Sequence, residues 1–582
     1  MYRLATLFGV LPLLAVCTAV FAQSPEIPQR RYSHVQDLNN AGSELVYERS
    51  HSEARLREAV VTLKKAHAAI LAMQSDLSAG AQVAGHLQDR REDNLRYQAD
   101  AYAQLGDKQA ALNALDAWAA DRIVAREKHW LVSDKYLDSL HDDPRFMALV
   151  ARFDAVASRW NADAFMKPAE PLTEAQRIAG LSLFWSEVRY NFVHFDHVPT
   201  LDWNQTYLDF LPKVIAAKNM HDYYDVLMRL APLLHDGHTN IYPPDSIANE
   251  FYARPPVVTA LIQNHVLITW VADSRIAAKG VHVGDEIVSI NGEEVHQYAK
   301  ERVEPYASSS TPQDLAVRMY DYLLLAGDHA QPVTLGLRDA AGNLHSVTLS
   351  RESDPAAKNW KPSFSFRMLP GDIAYLKLGE FEDARGAKMF KQHLPQILKA
   401  KGLILDVRSN GGGSTNNGLD VLTWLMDKPV PEPAARSLEY VPTYRAWSGP
   451  SETWKTLDGA DATYRQVHKN YYTGPVAVLI GPRTFSAAED FVVSFEAMHR
   501  GILVGQTTAG STGQPLGFKL PGGGTARICT LRETFPDGHR FVGIGIPPKI
   551  EVTPTIADIR AGRDPAIAAA AKVLTGDAAK RR

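Results

Sequence analysis

Ser486 lies in the stretch IGPRTFSAAED (Ile480–Asp490), between an apolar run that predicts a buried strand and a run that predicts a helix. A serine at such a strand-to-helix turn is exposed to substrate, and the amides after it point outward at the positive end of the helix. This arrangement suits an acyl-transfer nucleophile, because the same amides can hold a developing oxyanion. The commoner role of a serine before a helix is to cap it, so this stretch alone leaves both interpretations open.

A glycine run is the second feature with chemical potential. It lies in RSNGGGS (Arg408–Ser414), directly after the buried strand predicted over Leu403–Val407. Glycines after a strand offer backbone N–H groups, which can cradle a phosphate or form an oxyanion hole. The run lacks the Lys-Ser/Thr ending of a P-loop, so the sequence favours the oxyanion hole.

Histidines are the third feature. His238 lies in the glycine-containing loop LHDGHT, and a histidine there can be presented to a cleft as a general base, although alone it is more often a surface residue. His194 and His197 fall among aromatic residues, without the cysteine or carboxylate spacing of a zinc site. We therefore expect no metal and no cofactor.

Composition limits the function classes. The 582 residues predict three or four domains, and the net charge of -4 is too small to indicate nucleic acid as a partner. An apolar run within residues 1–22 predicts a signal peptide cut before Gln23, and no later stretch predicts a membrane span, so we expect an exported protein, periplasmic or secreted. The processed chain would keep one cysteine, Cys529, which its strand-like context predicts to be buried.

The segment 23–167 is helical in pattern. Within it, Asn94–Ala120 resembles a tetratricopeptide unit, with a break at Gly106-Asp107. One such repeat cannot bury its own face, so the pattern favours a helical cap over a platform for a protein partner. A second helical lobe is predicted over 168–250 and carries His238.

In the remaining segments the spacing of apolar residues differs from the helical spacing seen before. Residues 255–352 predict strands, and Asn291-Gly292 predicts a tight hairpin turn. The run from Gly284-Asp285 to Asn291-Gly292 resembles a PDZ domain, which binds a peptide terminus by strand addition. Residues 360–565 alternate strands and helices, which predicts an α/β catalytic core, followed by a C-terminal tail over 566–582. Within the core we expect a helix over Ala387–Ala400 and a hairpin that turns at Pro536–Gly538. The fold class is therefore multidomain α+β, with a helical N-terminal region, a PDZ-like β-rich domain and an α/β core.

Four features occur in order: a helical lobe, the PDZ-like insert, LILDVRSNGGG, and GPRTFSAAED with GIGIPP behind it. Together they resemble the tail-specific, or C-terminal processing, serine peptidases over Thr173–Thr555. The resemblance implies a crotonase-like or Clp-protease-like core and polypeptide substrates. It also implies that Ser486 is the nucleophile and that the amides of Ala487 and Gly412 (or Gly411) hold the oxyanion.

The resemblance implies two different bases. Many members of the family use a lysine about 25 residues after the serine, but Ser511 stands at that place in this chain. A branch that resembles the tricorn core peptidase takes a histidine from the helical lobe, and His238 matches that position. The missing lysine and the present histidine agree, so we predict a Ser-His enzyme.

A third group should orient the imidazole of such an enzyme. The tricorn-like branch has a glutamate where this chain has Val542, and Glu489 and Asp236 are the substitutes that the sequence offers. The alternative function is a non-catalytic protein that binds a peptide or an apolar ligand on the same fold. The retinoid-binding protein of the photoreceptor matrix resembles this fold and supplies the precedent.

Overall fold

The computed structural model describes residues 26–48, 52–75, 80–120, 127–160, 162, 165–166, 171–352, 362–459, 462–464 and 468–580. The predicted signal peptide lies outside the described residues. The chain divides into two compact units, Met1–Ala162 and Asp163–Arg582. Within the ranges given above, no helix is both long enough and apolar enough to cross a membrane.

The first unit is helical, which confirms the helical N-terminal region predicted from the sequence. Ser52 begins the second helix by accepting the N–H of Arg55, and Asp107 begins the fourth by accepting the N–H of Ala110. Leu63 and Leu115, among others, fill its apolar interior. The helices are α1 Glu26–Tyr47, α2 Glu53–Gln74, α3 Gly80–Gln104, α4 Lys108–Trp118, α5 Glu127–Ser133 and α6 Pro144–Trp160.

The second unit opens with three helices and a short strand: α7 Glu174–Asn191, α8 Trp203–Ala216, α9 Met220–Met228 and β1 Asn240–Tyr242. Many of their aromatic side chains are buried, among them Phe184, Tyr223 and Tyr224. β1 pairs antiparallel with Thr525–Cys529, so the loop just before β1 is anchored to a strand far along the chain. This pairing brings the loop of His238 to the α/β core.

An antiparallel sheet follows, in the order β2-β3-β4-β6-β7, with β5 paired to β4. Asn291 and Gly292 have φ values of 51° and 87°, which confirms the tight hairpin turn predicted there. β2 lies at the edge of the sheet. The elements are β2 Val257–Ile262, β3 His265–Val271, α10 Ser274–Ala277, β4 Glu286–Ile290, β5 Glu293–Glu294, α11 Val295–Tyr298, α12 Pro312–Val317, β6 Val333–Arg338 and β7 Leu344–Leu349.

The last region contains a six-stranded sheet in the order β20-β16-β15-β10-β9-β8, in which only β8 runs antiparallel to its neighbour. β10 and β15 are buried along their whole length, as expected of central parallel strands. The strands are β8 Phe364–Leu369, β9 Ile373–Leu378, β10 Gly402–Asp406, β11 Val430–Pro431, β12 Ala434–Tyr440, β13 Glu452–Asp458, β14 Thr463–Tyr464, β15 Val476–Ile480, β16 Gly501–Gly505, β17 Pro515–Lys519, β18 Thr525–Cys529, β19 Arg532–Thr534 and β20 Ile550–Glu551. The helices are α13 Arg385–Gln392, α14 Leu394–Ile397, α15 Thr415–Leu422, α16 Pro442–Ala446, α17 Ala487–Ala497, α18 Ile556–Ala561 and α19 Pro565–Lys580.

Two local predictions differ from the structure. The single helix predicted over Ala387–Ala400 is two helices, α13 and α14, because Pro395 lacks an N–H and its ring clashes with the preceding turn. The hairpin predicted at Pro536–Gly538 is only a turn, closed by the bond from the Phe535 N–H to the His539 carbonyl. No second strand follows that turn within residues 539–549.

Candidate active site

Ser486 occupies the turn between β15 and α17. Its backbone has φ 59° and ψ -133°, a conformation that residues other than glycine rarely adopt. Its N–H donates to the carbonyl oxygen of Ser511 at 2.9 Å, which ties the strained turn to a second loop. The Ser486 side chain makes no capping bond to α17, so the interpretation of this serine as a plain helix cap is wrong.

His238 lies against this serine although 248 residues separate them in the chain. The imidazole is buried, with 2% of its surface exposed, and it stacks on the ring of Phe485 at a centroid distance of 4.4 Å. Its Nε2 is 2.9 Å from the Ser486 Oγ. The two side chains are within hydrogen-bond reach, as a nucleophile and its base require.

Ser511 holds the other nitrogen of the imidazole: its Oγ lies 3.0 Å from the His238 Nδ1. If Nδ1 carries the proton and donates it to Ser511, then Nε2 has a free lone pair facing Ser486. That tautomer is the one a general base needs. The structure therefore aligns three side chains, Ser486, His238 and Ser511.

Burial keeps the imidazole neutral. It lowers the pKa of His238 well below the ordinary histidine value, and the positive charges of Arg527 and Arg318 lower it further. Arg318 lies over the ring of Phe485, 4.9 Å from its centroid, and its charge is paired with Asp314. Neutral His238 can accept a proton at physiological pH.

Glu489, one of the two predicted substitutes for the third member, does not contact the imidazole. Its Oε1 accepts the Thr508 hydroxyl at 2.6 Å and the Gly510 N–H at 2.8 Å, and its Oε2 accepts the Ser511 N–H at 2.7 Å. The carboxyl group is completely buried. Glu489 therefore fixes the loop that carries Ser511 and acts on His238 only through that loop.

Asp236, the other predicted substitute, also lies away from the imidazole. Its Oδ2 accepts the Thr239 hydroxyl at 2.6 Å, while its buried Oδ1 has no hydrogen-bond partner. Asp236 instead lies in a group with His194 and Cys529, whose ligand atoms are all within 4.8 Å of one another. These three residues could hold a metal ion, an arrangement that their spacing in the sequence did not indicate.

The predicted oxyanion donors near Ser486 differ in whether their N–H groups already have a hydrogen-bond acceptor. Ala487 is the first residue of α17, and its N–H has no acceptor among the described residues. The Gly412 N–H donates to the Asn410 Oδ1 at 2.8 Å, so it is already engaged. A side chain at Gly412 would place its Cβ 2.6 Å from the Ser486 Cβ, which makes glycine necessary there. Gly411, the alternative donor, is exposed.

Comparison with known proteins finds a family match for the segment that contains Ser486. Residues 372–552, which contain β9 to β20, match the family model described as Peptidase family S41. This matched segment carries Gly412, Ser486 and Ser511. The family match and the names of the relatives indicate a serine-type peptidase, a hydrolase.

The relatives of this chain are distant. The "C-terminal processing peptidase, chloroplastic" of Tetradesmus obliquus is 24% identical over 57% of this chain and 68% of the relative. The "Carboxyl-terminal-processing protease" of Synechocystis sp. is 29% identical over 36% of this chain and 46% of the relative. The crystal structure of mature CPAF has a TM-score of 0.52 at 16% identity, covering 66% of this chain and 94% of that one. At that identity the likeness shows a shared mixed helix and sheet fold.

Ser511 is the site residue whose role sequence reasoning missed. Its position was identified only as the place of an absent lysine. The available signal was a hydroxyl residue in the loop GSTG, preceded by a buried strand and following the nucleophile at the family's base position. A serine in a loop has many local uses, so nothing in the sequence separates this one from a turn residue.

We expect Ser511→Ala to lower kcat about 10- to 100-fold with little change in KM, because one orienting hydrogen bond is worth about 1–3 kcal/mol. Steady-state kinetics on a fluorogenic peptide measures this. Ser310→Ala is the matched control, since that hydroxyl accepts the Gly237 N–H in the same region without contacting the imidazole. An equal loss of kcat in the two variants would show that Ser511 does not orient the imidazole.

Two buried carboxyl groups near the site, Glu489 and Asp490, have pKa values raised above the ordinary carboxyl range. Burial raises the pKa of Glu489 to about 8, although its three donors oppose the rise. Burial also raises the pKa of Asp490 to about 6, and its Oδ1 shares the Thr512 hydroxyl with Glu533, each at 2.8 Å. These groups bind protons in the folded chain at pH values where the unfolded chain has lost them.

Stability of the second unit should therefore fall as pH rises toward 8, because the unfolded state binds fewer protons than the folded state. We expect Glu489→Gln to reduce the pH dependence of the free energy of unfolding by up to about 1.4 kcal/mol per pH unit. The same change should lower the free energy of unfolding by about 1–3 kcal/mol, because the amide NH₂ of glutamine cannot accept the Ser511 N–H. Urea unfolding between about pH 6.5 and 8.5 measures both. An unchanged slope would mean that Glu489 is ionised throughout that range.

Proposed function

We propose that this chain is an exported serine endopeptidase of the histidine-dependent, tricorn-core-like branch, with Ser486 as nucleophile and His238 as base. The observation that carries the proposal is the 2.9 Å contact between the His238 Nε2 and the Ser486 Oγ. Ser511 stands where a lysine base would be expected and instead lies 3.0 Å from the His238 Nδ1. Export rests on the apolar run before Gln23.

The reaction follows from these contacts. The Ser486 Oγ attacks the peptide carbonyl carbon as its proton passes to the His238 Nε2. The oxyanion forms beside the free N–H of Ala487, and an amide of the glycine loop, Gly411 or Gly412, is the second donor. The imidazolium then protonates the leaving amine as the C–N bond breaks, and water releases the acyl group through the same base.

Gly412 can serve as a donor only if its bond to the Asn410 side chain breaks when substrate arrives. Gly411 needs no such change. Either assignment places the oxyanion between the start of α17 and the loop after β10, close to the Cβ of Ser486. The missing carboxylate of the tricorn-like branch is replaced, in this proposal, by Ser511, which Glu489 holds in place.

Substrate recognition is proposed for the sheet over residues 255–352, which we take as PDZ-like. β2 is an edge strand of that sheet, so its free edge can add a peptide strand. Part of β2, residues 260–262, lines a cavity of about 740 Å³ that extends to Pro482 and Arg483, a few residues before Ser486. We propose that a polypeptide bound along β2 occupies this cavity.

Substrates are proposed to be unfolded proteins or peptides cut near the C-terminus, in keeping with the names of the relatives. The core with its largely parallel sheet is proposed to be of the crotonase or Clp-protease type. The helical segment 23–167 is proposed as a cap, with docking of a protein partner as its alternative role.

Hydrolysis of an unfolded protein tests the function. Wild-type enzyme should cut reduced, carboxymethylated casein into fragments that mass spectrometry can map, and Ser486→Ala should not. The same assay with peptides of identical sequence, free or amidated at the C-terminus, tests recognition of that end. Equal cleavage of the two peptides would sink the C-terminal specificity while leaving the peptidase chemistry intact. The aligned serine and histidine favour this function over a non-catalytic binding protein.

A further inference from the structure

A second cluster of reactive side chains lies next to the active site. His194 follows α7, Asp236 precedes β1, and Cys529 ends β18, so three separate segments supply them. His194 is 1% exposed, and the other two are completely buried. One ligand atom from each lies within 4.8 Å of the others. The fold therefore brings an imidazole, a carboxylate and a thiol to one buried point.

The cluster leaves polar atoms without partners. Both ring nitrogens of His194 and the Oδ1 of Asp236 are buried and make no hydrogen bond. A buried polar group without a partner costs free energy, and such groups are rare unless a water or an ion satisfies them. Three such atoms on two neighbouring residues, with a thiol facing them, point to a ligand between them.

We propose that His194, Asp236 and Cys529 form a binding site for a zinc ion. Zinc is borderline soft and accepts nitrogen, oxygen and sulfur ligands together, usually four in a tetrahedron. On binding, the Cys529 thiol releases its proton to solvent and binds as thiolate, so the two anionic ligands balance the two charges of the ion. The three side chains leave one coordination position for a water molecule.

Thr239 supports the site from outside. Its hydroxyl donates to the Asp236 Oδ2 at 2.6 Å and accepts the Cys529 N–H at 3.2 Å. One residue thus orients the carboxylate and fixes the strand that carries the thiol. Outer contacts of this kind are usual around metal ligands, because they aim the ligand atoms.

A neighbouring group is a poorer candidate. His194, Asp196 and His197 also converge, but Asp196 is already paired with Arg532 at 2.5 Å and with Arg540 at 3.4 Å. Arg540 also lies 3.4 Å from the His197 Nε2. Two guanidinium groups therefore hold the places that a cation would need. The proposal concerns only the buried group with Cys529.

The zinc ion would hold two active-site loops together. Asp236 lies two residues before His238, and the Cys529 Sγ is 3.8 Å from the carbonyl oxygen of Thr512, the residue after Ser511. The ion takes no part in the proton transfer of the proposed function. It would position the loops of His238 and Ser511, so its loss should lower both thermal stability and kcat.

The test uses the full chain without added tag histidines, produced in zinc-supplemented medium and passed over a desalting column. Elemental analysis should find about one zinc per chain. Cys529→Ala and His194→Ala should each lower the zinc content at least about 10-fold. Asp196→Asn is the matched control, because it removes a carboxylate of the neighbouring group, and it should keep the full zinc content.

A second measurement does not depend on the folding of variants. Wild-type chain stripped with a chelator and reloaded with Co²⁺ should show a thiolate-to-cobalt charge-transfer band, and Cys529→Ala should lack it. Wild type that binds neither metal, with a chelator leaving its Tm unchanged, would mean that a water fills the cluster and would overturn the proposal. Zinc bound equally by Cys529→Ala, or lost in Asp196→Asn, would also overturn it. Because metal content is measured without substrate, either result stands apart from the proposed peptidase function.

Discussion

Ser486→Ala is expected to lower kcat by about 10⁶-fold, the scale on which serine peptidases lose activity when the nucleophile is removed. The Ser486 Oγ lies 2.9 Å from the only base that reaches it among the described side chains. Alanine removes the attacking atom but keeps a Cβ in the same strained turn, so the fold should survive. Initial rates on a peptide substrate, with circular dichroism as the check on folding, measure the change.

Ser494→Ala is the matched control for the nucleophile. Ser494 is a buried serine on the same helix, two turns further on, and its hydroxyl has no hydrogen-bond partner. Its rate should stay within about 2-fold of wild type, because losing an unpaired hydroxyl removes no contact to the site. An enzyme without its nucleophile should keep far less than about one-hundredth of its activity. If Ser486→Ala kept that much, another group would be attacking the substrate.

His238→Ala is expected to have an effect of similar size, and the double variant with Ser486→Ala should be no worse than either single one. The two residues act as one unit, so their losses do not add. His235→Asn is the matched control, since His235 is the exposed histidine of the same loop and asparagine tolerates its left-handed backbone. Additive losses would show that His238 and Ser486 work independently.

The pH profile gives a second test of this base. Burial lowers the pKa of His238, so the imidazole stays neutral down to pH values below the ordinary histidine range. A base must be neutral to accept a proton, and kcat/KM reports the pKa of the free enzyme. We therefore expect kcat/KM to be level from about pH 6.5 upward and to fall only in more acidic solution. An acidic limb centred near pH 7 or above would contradict the buried base.

Sequence reasoning predicted the parts of the site that short motifs encode. The buried strand predicted over Leu403–Val407 is β10, shifted by one residue, because a central parallel strand is a largely continuous apolar segment. The strand-to-helix turn made Ser486 a candidate nucleophile but left a helix cap as the alternative. The pairing of Ser486 with His238 needed the family resemblance, since no local pattern relates residues 248 apart.

The orienting group could not be predicted for a physical reason. Glu489 and Asp236 were natural candidates because they are carboxylates close in sequence to Ser486 and His238. The α17 helix directs Glu489 toward the amides of Gly510 and Ser511, and the loop before β1 directs Asp236 toward Thr239 and His194. The direction in which a side chain points decides whether it reaches the imidazole. Distance along the sequence does not give that direction.

The metal cluster was missed for the same reason. Zinc sites are recognised in sequences when their ligands recur at short spacing on one turn or hairpin. Here the ligands come from the end of α7, from the loop before β1 and from β18, and only the pairing of β1 with β18 brings two of them together. That pairing joins residues that lie almost 300 positions apart.

Labelling with a fluorophosphonate probe tests whether the Ser486 hydroxyl is an activated nucleophile. Such a probe reacts only with a serine whose hydroxyl is activated by a base and whose oxyanion is stabilised. We expect one label per wild-type chain, mapped to Ser486 by mass spectrometry, slow labelling of His238→Ala and none of Ser486→Ala. Labelling of wild type at any other residue, or none on a folded chain, would contradict this expectation.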